Sequence, residues 1–228
     1  QIKRKRNRKE KKLFIVEGQQ SIDVFLASNY KLHESYSTHP KELDFDSIVN
    51  ISSSELSKLS SLKKPNKHIA VFHHKDQVLQ KQNFYLVFDR INDPGNLGTI
   101  IRTCHWFGVD QIICSVDSVD CYNSKVVQSS MGSLSRVNVV YTDLIKFIKT
   151  TNKKIIGTSL NSKSISDYSF KNFDGIIVFG SESNGISREI RKEINDYISI
   201  PKTASNSTAE SLNLSISVAI FLSKIKGI

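Results

Sequence analysis

Short runs of β-branched and aromatic residues recur through the second part of the chain, and they constrain its fold most strongly. The runs lie at 84–88, 111–114, 137–141, 154–157, 175–179 and 197–200. Continuous apolar runs of this length are typical of strands covered on both faces, and hence of a mostly parallel sheet. The stretches between and after them predict helices at 99–107, 124–132, 144–149, 188–195 and 211–226. The sequence therefore predicts an α/β fold with helices on both faces of the sheet.

A smaller group of elements precedes that sheet. Apolar runs predict strands at 13–16, 32–36 and 69–72, and helices are predicted around residues 22–26 and at 54–62. The stretch 73–83 is polar, contains no Gly or Pro, and has only Val78 and Leu79 as an apolar pair, which is typical of a linker. We therefore predict a small α/β domain at 13–72, a linker at 73–83 and a larger domain at 84–228.

Basic charge is concentrated at the amino terminus. The chain has 228 residues and a net charge of +10, and residues 1–12 alone carry +7, from eight Lys or Arg and one Glu. A dense basic arm suits a polyphosphate partner, because each cation that neutralises a phosphate releases a counterion. The alternative is a solvated tail that only aids solubility.

Composition excludes several classes of protein. Hydrophobic residues make up 39% of the chain, which is enough for a core and excludes global disorder. No run of about 18 apolar residues predicts a membrane span. The cysteines, an odd number without a CxxC pair, argue against a disulfide scaffold or a zinc finger, and no histidine spacing predicts a metal site. No apolar stretch of the kind a signal peptide needs follows the basic arm, so we expect a cytoplasmic protein.

Unusual polar residues follow the first apolar run of the larger domain, and ligands bind beyond strand ends in an open parallel sheet. The segment 89–102, DRINDPGNLGTIIR, contains Asn96 and Arg102. Their spacing of six residues predicts that they converge near the start of a helix. An ordinary strand, turn and helix with a surface arginine is the alternative. Neither GxGxxG nor GxxxxGK[ST] occurs, which disfavours a nucleotide-dependent phosphotransferase.

Unusual polar residues also follow two later predicted strands. In the segment 176–187, IIVFGSESNGIS, Gly180 and Glu182 follow a strand, and such a carboxylate is more often functional than a simple charge at a helix start. The strand at 197–200 is followed by a polar loop in which 207–210 has capping-box spacing. That spacing predicts a helix start near Ser211 and Asn213, where small polar residues indicate close packing against a neighbour or a ligand.

Together, these segments resemble the three signature motifs of the SpoU (TrmH-type) branch of the SPOUT RNA methyltransferases. The resemblance covers about 84–228, and the order and spacing of the motifs agree. It implies an α/β domain whose C-terminal part forms a trefoil knot, a topology that nothing else here would predict. Residues 14–18, FIVEG, with the helix after them resemble the start of the small RNA-binding domain that many members carry.

The resemblance assigns roles to individual residues. It implies catalytic roles for Asn96, Arg102, Glu182, Ser211 and Asn213. It implies an S-adenosylmethionine site formed by Gly180, Ile200 and Leu212, with Thr158, Ser159 and Leu160 as further candidates. A guanidinium normally stays protonated, so Arg102 is expected to stabilise a developing oxyanion and hold a phosphate rather than abstract a proton. The loop at 201–211 is a few residues longer than the commonest family pattern.

The implied reaction transfers the methyl group of S-adenosylmethionine to a ribose 2′-hydroxyl of RNA. The basic arm and the small domain favour ribosomal RNA of the 23S type over tRNA, which stays the alternative. A non-catalytic RNA-binding factor of ribosome assembly is a further alternative, disfavoured because all the family's catalytic residues are present. Members are homodimers through the knot and the last helix, and the helix at 211–226 is apolar on more than one face, which agrees with such an interface. No metal or membrane partner is expected.

Overall fold

The computed structural model describes residues 2–45, 48–203, 208 and 210–228. A four-stranded sheet forms the amino-terminal part, in the order β1-β4-β2-β3, with β4 antiparallel to β1 and β2. Its strands are β1 (Leu13–Glu17), β2 (Leu32–Ser37), β3 (Ile48–Asn50) and β4 (His68–His73). Its helices are α1 (Lys5–Lys11), α2 (Gln19–Leu26) and α3 (Ser53–Leu59). The strand β3 escaped prediction because three residues are too few to show a pattern.

The second sheet has six strands in the order β10-β8-β9-β5-β6-β7. The strands are β5 (Phe84–Phe88), β6 (Gln111–Ser115), β7 (Asn138–Thr142), β8 (Lys154–Ser164), β9 (Gly175–Phe179) and β10 (Asp196–Ser199). The helices are α4 (Pro94–Trp106), α5 (Ser124–Ser130), α6 (Leu144–Lys149), α7 (Arg188–Arg191) and α8 (Leu214–Lys226). Each pair of neighbouring strands is parallel, which confirms the predicted sheet. The trefoil knot stays a prediction.

Helices cover both faces of this sheet, as predicted. Alternate residues of β5 point to opposite faces and into different apolar clusters. Leu86 and Phe88 are buried in the cluster that includes residues of α4, α5 and α8. Tyr85 and Val87 are buried in the cluster that includes residues of α6 and α7. Coverage on both sides explains why the FYLVF run is apolar throughout.

Several helix bounds differ from prediction: α4 begins at Pro94 rather than at residue 99, and α3 and α5 end at Leu59 and Ser130 rather than at residues 62 and 132. The helix α8 begins at Leu214 rather than at Ser211, because the Asn213 side chain caps it by accepting from the Ser215 amide at 2.9 Å. The predicted capping residue Ser207 lies outside the described residues. The helix α7 ends at Arg191 rather than at residue 195. Its continuation is prevented by Asn195, whose amide donates to the Ile155 carbonyl at 2.9 Å and whose Oδ1 accepts from the Ile155 amide at 2.8 Å.

The two sheets meet around Tyr122, which lies between β6 and α5. Its ring centroid is 4.6 Å from that of Phe14 in β1, and its hydroxyl is 3.3 Å from the Tyr30 hydroxyl. Burial raises the pKa of Tyr122 to about 12. The stretch predicted as a linker contributes to the same contact, because the Lys75 amide and the Gln77 side chain donate to the Tyr122 hydroxyl. The division into domains at 13–72 and 84–228 stays a prediction.

The basic arm is partly docked against both sheets. Residues 5–11 form α1, whose last turn is basic, as the helix dipole favours. Arg8 is 4% exposed and forms a salt bridge with Asp120 at 2.8 Å. The Lys3 ammonium donates to the carbonyls of Lys58 and Ser60 at 2.8 and 2.6 Å. A wholly solvated tail is therefore wrong for Arg8, although most other basic residues of the arm are exposed.

The Arg8–Asp120 salt bridge predicts a large effect on stability. Arg8→Met would leave the buried Asp120 carboxylate without its cation, so we expect a loss of about 3–5 kcal/mol in the free energy of unfolding. Urea denaturation measures the loss, and Arg6→Met, at an exposed position of α1, is the control with an expected change of about 0.5 kcal/mol or less. Equal losses in the two variants would contradict a structural role for Arg8.

Candidate functional site

A buried carboxylate ties together the loops that follow β5 and β9. Asp89 comes directly after β5, is 3% exposed, and accepts from the Ser187 amide at 2.6 Å. Its own amide donates to the Phe179 carbonyl at 2.8 Å. The sequence analysis missed Asp89, although the signal was the one that selected Glu182, a carboxylate just after a strand. This contact holds the two loops together at the carboxyl edge of the sheet.

Three of the predicted catalytic residues form one hydrogen-bonded chain, which we call the amide chain. Asn96, in the first turn of α4, donates through Nδ2 to Glu182 Oε1 at 2.6 Å. Its Oδ1 accepts from Nδ2 of Asn213, which precedes α8, at 2.9 Å. Residues more than 80 positions apart therefore meet at one point. The structure brings Asn96, Glu182 and Asn213 together, whereas their catalytic roles stay predictions.

Neighbouring groups fix the direction of each amide in this chain. Asn213 Oδ1 accepts from the amide and the hydroxyl of Ser215, at 2.9 and 2.6 Å, which turns its Nδ2 towards Asn96. Ser215 is 6% exposed and supports the orientation of the Asn213 amide. Asp93 caps α4 by accepting from the Asn96 amide at 2.7 Å. The donor and acceptor ends of the chain are thus set before any ligand binds.

Arg102 does not join the amide chain. It is exposed on α4, and within the described ranges it makes no hydrogen bond or ion pair. Six residues along a helix correspond to about 9 Å and to a turn of roughly 120° away from the starting face. Within the described residues no hydrogen bond joins Arg102 to Asn96, so their predicted convergence stays a prediction. Arg102 lies one turn before Trp106, which is 86% exposed.

Ser211 also stands apart from the amide chain. It is exposed and lies before the first turn of α8. In the part of the chain that the structure describes, its hydroxyl has no protein partner. The resemblance alone therefore supports a catalytic role for Ser211.

The candidate cofactor residues Ser159 and Leu160 lie in an outward excursion of β8. The strand β10 pairs with β8 in two pieces, because Tyr197 is opposite Gly157 whereas Ile198 is opposite Lys163. Residues 158–162 of β8 therefore do not pair with β10. Leu160 is 65% exposed, and the Thr158 hydroxyl donates to the Val178 carbonyl at 3.2 Å. The excursion places backbone polar groups and an exposed apolar side chain beside the end of β9.

The other candidate cofactor residues follow neighbouring strands or precede α8. Gly180 follows β9, and Ile200 follows β10, which lies beyond β8 in the sheet. A Cβ on Gly180 would lie 2.1 Å from the Gly185 carbonyl carbon, so only glycine permits the tight return of the loop. Leu212 precedes α8 and is 50% exposed. Gly180, Ile200 and the excursion thus occupy adjacent strand ends.

Other features of the chain do not compete with this site. A wider depression of about 670 Å³ lies around the start of β8, at the opposite edge of the sheet. Among the described residues, no group of three or more His, Cys, Asp or Glu is arranged to hold a metal ion. No helix in the described ranges is both long and apolar enough to cross a membrane. Burial raises the pKa of the three cysteine thiols, which makes them poor nucleophiles.

The fold and the site define an α/β protein whose polar side chains converge at the carboxyl ends of parallel strands, where such sheets bind ligands. Residues 83–223 match the model of the SpoU rRNA Methylase family. The match covers more than half of the chain. The chain belongs to the SpoU rRNA methylase family.

Similar proteins extend the match beyond the second sheet. The 23S rRNA (guanosine(2553)-2′-O)-methyltransferase RlmP of Bacillus subtilis (strain 168) is 25% identical over 231 residues, which cover 98% of this chain and 92% of that protein. A TrmH-family protein from Porphyromonas gingivalis has a structure with a TM-score of 0.83 and 30% identity, covering 98% of this chain and 93% of that one. The AdoMet-bound rRNA methyltransferase from Sinorhizobium meliloti shares the fold, with a TM-score of 0.86 at 22% identity, over 99% and 91% of the two chains.

Proposed function

We propose that the protein transfers the methyl group of S-adenosylmethionine to a ribose 2′-hydroxyl of ribosomal RNA, in the cytoplasm. The amide chain of Asn96, Glu182 and Asn213, in a member of the SpoU rRNA methylase family, carries this proposal. Ribosomal RNA is preferred to tRNA because the similarity to RlmP, a 23S rRNA methyltransferase, extends over almost the whole chain, including the first sheet.

The residues at the strand ends fit S-adenosylmethionine. A ligand with a flat aromatic base, a polar ribose and an amino-acid end needs apolar side chains against the ring face and a few polar groups beside them. Exposed Leu160 and Leu212 provide apolar side chains, and the backbone around Ser159, Gly180 and Ile200 provides polar groups. Bound there, S-adenosylmethionine supplies a methyl group already activated by its sulfonium. We propose that these five residues hold the cofactor.

Side chains of the protein align the ribose 2′-oxygen, which is the nucleophile, and stabilise the charge that develops on it. A ribose hydroxyl is a weak acid, so negative charge on its oxygen must be stabilised as it develops. Arg102 is the candidate for this role, because its guanidinium stays charged and can bind the oxygen and the adjacent phosphate together. The amide chain positions the ribose through fixed donors and acceptors, and exposed Ser211 offers a further hydroxyl.

We infer that the protein is a homodimer through the knot and α8. Exposed apolar side chains support this inference, since Leu212 and Ile216 at the start of α8 are 50% and 51% exposed. The exposed position of Arg102 also supports a dimer, because a second subunit would cover this side chain, which has no hydrogen-bond partner among the described residues of one chain. Light scattering at micromolar concentration should give twice the chain mass of 25.8 kDa. A mass of one chain would contradict the dimer.

The exposed lysines of α1 are expected to bind RNA phosphates. Lys5 and Lys9 lie one turn apart, and both are exposed. The double variant Lys5→Gln/Lys9→Gln keeps the Arg8 salt bridge, and it should lower the slope of log K against log salt for single-stranded RNA by about 1.4, or about 0.7 per phosphate. Fluorescence anisotropy with labelled RNA at several salt concentrations measures the slope. Binding of S-adenosylmethionine should not change.

A matched control for this double variant is Lys171→Gln/Lys192→Gln. It removes the same charge from exposed positions near the starts of β9 and β10, at the edge opposite the site. The control should keep the wild-type slope. If the Lys5→Gln/Lys9→Gln variant also keeps that slope, the arm does not bind RNA phosphates and serves solubility.

The proposed reaction is tested by incubating the purified protein with methyl-labelled S-adenosylmethionine and either ribosomal RNA or tRNA. We expect label in ribosomal RNA and none in tRNA. Label only in tRNA would show that tRNA, and not ribosomal RNA, is the substrate. RNA binding without label in either would favour a non-catalytic RNA-binding factor of ribosome assembly.

A further inference from the structure

A cleft lies between the two sheets, and the proposed function leaves it without a role. Its volume is about 200 Å³. One wall contains Ile15 and Leu62 from the amino-terminal part, and the other contains Ser124, Lys125 and Gln128 from α5. Pockets for drug-sized ligands usually have volumes of about 300–1,000 Å³. The cleft is thus sized for a single planar ring system rather than for a whole nucleotide.

The polar groups on the α5 wall are open to a ligand. Within the described ranges the side chains of Ser124 and Gln128 form no hydrogen bond. Among the described residues the Lys125 ammonium has one ion-pair partner, Asp93, at 3.8 Å, and its side chain is mostly exposed. By contrast, the Glu17 carboxylate at the base of the cleft already accepts from the Ser61 amide at 2.7 Å and from the Ser60 hydroxyl. An amide and a hydroxyl beside apolar side chains match the edge and the face of a nucleobase.

On one side the cleft adjoins the amide chain. The Lys125 ammonium lies 3.7 Å from the position that a Cβ on Gly95 would occupy. Gly95 immediately precedes Asn96, which donates to Glu182. A ligand held by Lys125 would therefore lie next to the loop that positions the ribose.

On its other side the cleft adjoins the basic helix. Lys3 donates to the carbonyls of Lys58 and Ser60, and the next residue, Ser61, lines the cleft. The cleft therefore lies between the basic helix α1 and the amide chain. An extended polyanion that starts on α1 would cross the cleft before it reaches Asn96.

We propose that the cleft binds the base of an unpaired RNA nucleotide that flanks the methylated one, with Lys125 bound to the phosphate between them. This proposal rests on the proposed function, because it names the path of that substrate. Gln128 and Ser124 bind the edge of the base, and Ile15 and Leu62 cover its face. The RNA is single-stranded there, because a paired base cannot enter a cleft of this size.

Two variants test the cleft without touching the catalytic residues. Ser61→Trp starts from an exposed side chain and fills the cleft, whereas Lys125→Ala removes the phosphate contact. Each should raise the Kd for the RNA substrate about tenfold or more, measured by anisotropy with S-adenosylhomocysteine present. Lys125→Ala should also lower the salt slope by about 0.7. Lys125→Arg should restore both values, and the Kd for S-adenosylmethionine should stay within twofold.

The control Lys171→Ala removes one exposed charge at the opposite edge of the sheet and should change the Kd for RNA less than twofold. The proposal is overturned if Ser61→Trp, folded with an unchanged melting temperature, binds RNA like the wild type, or if Lys125→Ala behaves like Lys171→Ala. Binding is measured independently of turnover. A wild type that binds RNA but methylates none would therefore contradict the proposed function, while the variants would still decide the role of the cleft.

Discussion

Arg102→Ala is expected to lower kcat for methyl transfer by about 10²–10³-fold, the usual cost of removing a donor that stabilises a developing oxyanion. The Kd for S-adenosylmethionine should stay within about twofold, because none of the proposed cofactor residues forms a hydrogen bond with Arg102 in the described structure. Single-turnover assays with labelled cofactor and saturating RNA measure the rate. Equilibrium dialysis measures the Kd for the cofactor.

The exposure of Arg102 makes this variant informative. Because Arg102 has no hydrogen bond or ion pair among the described residues, its loss removes no polar interaction within the chain and should change the melting temperature little. Arg102→Lys keeps the charge but loses the planar fork, so an intermediate rate is expected. Near-normal turnover in Arg102→Ala would show that another group stabilises the oxyanion.

Asn96→Ala is expected to lower kcat about 100-fold, since misplacement by roughly 1 Å can cost that much. The substitution removes both hydrogen bonds of Asn96 and so disconnects Glu182 from Asn213. Asn92→Ala is the control, because Asn92 is exposed in the same loop and lies outside the amide chain. The control should retain wild-type turnover within about twofold.

A double variant tests whether the amide chain acts as a unit. Asn213→Ala alone should lower kcat about as much as Asn96→Ala, and the double variant should lose little more, because residues that act together are not additive. Fully multiplicative losses would contradict a shared role.

Glu182→Gln separates charge from geometry. It keeps an oxygen that can accept from Asn96, so a small loss indicates positioning and a large loss indicates a need for the negative charge.

The second sheet could be predicted because burial on both faces leaves a direct trace in the sequence. Leu86 and Val87 face different apolar clusters, so both must be apolar, and the run FYLVF follows. The resemblance selected Asn96, Glu182 and Asn213, and the strand ends before Asn96 and Glu182 indicated that these two lie at one edge of the sheet, but the hydrogen bonds that join the three were not predicted. The carboxyl ends of parallel strands meet at one edge.

Other features depend on partners that local sequence does not specify. Arg8 is one of eight basic residues in the arm, and its buried ion pair is with Asp120, 112 positions away, which the local sequence does not indicate. The excursion at 158–162 depends on how β10 pairs with β8, and no Gly or Pro inside it gives a signal. The convergence of Arg102 on Asn96 stays a prediction, because a spacing of six residues sets the distance along α4 but not the partner that the exposed guanidinium meets.

The measurement that tests the proposed function most directly is the chemical position of the transferred methyl group. Ribosomal RNA methylated by the purified protein is digested to nucleosides, which are separated and identified by mass spectrometry. We expect the label in one 2′-O-methylated nucleoside, and labelling about 10²–10³-fold slower when Arg102→Ala replaces the wild type. Label on a base, or equal label in the two reactions, would contradict a ribose methyltransferase that depends on Arg102.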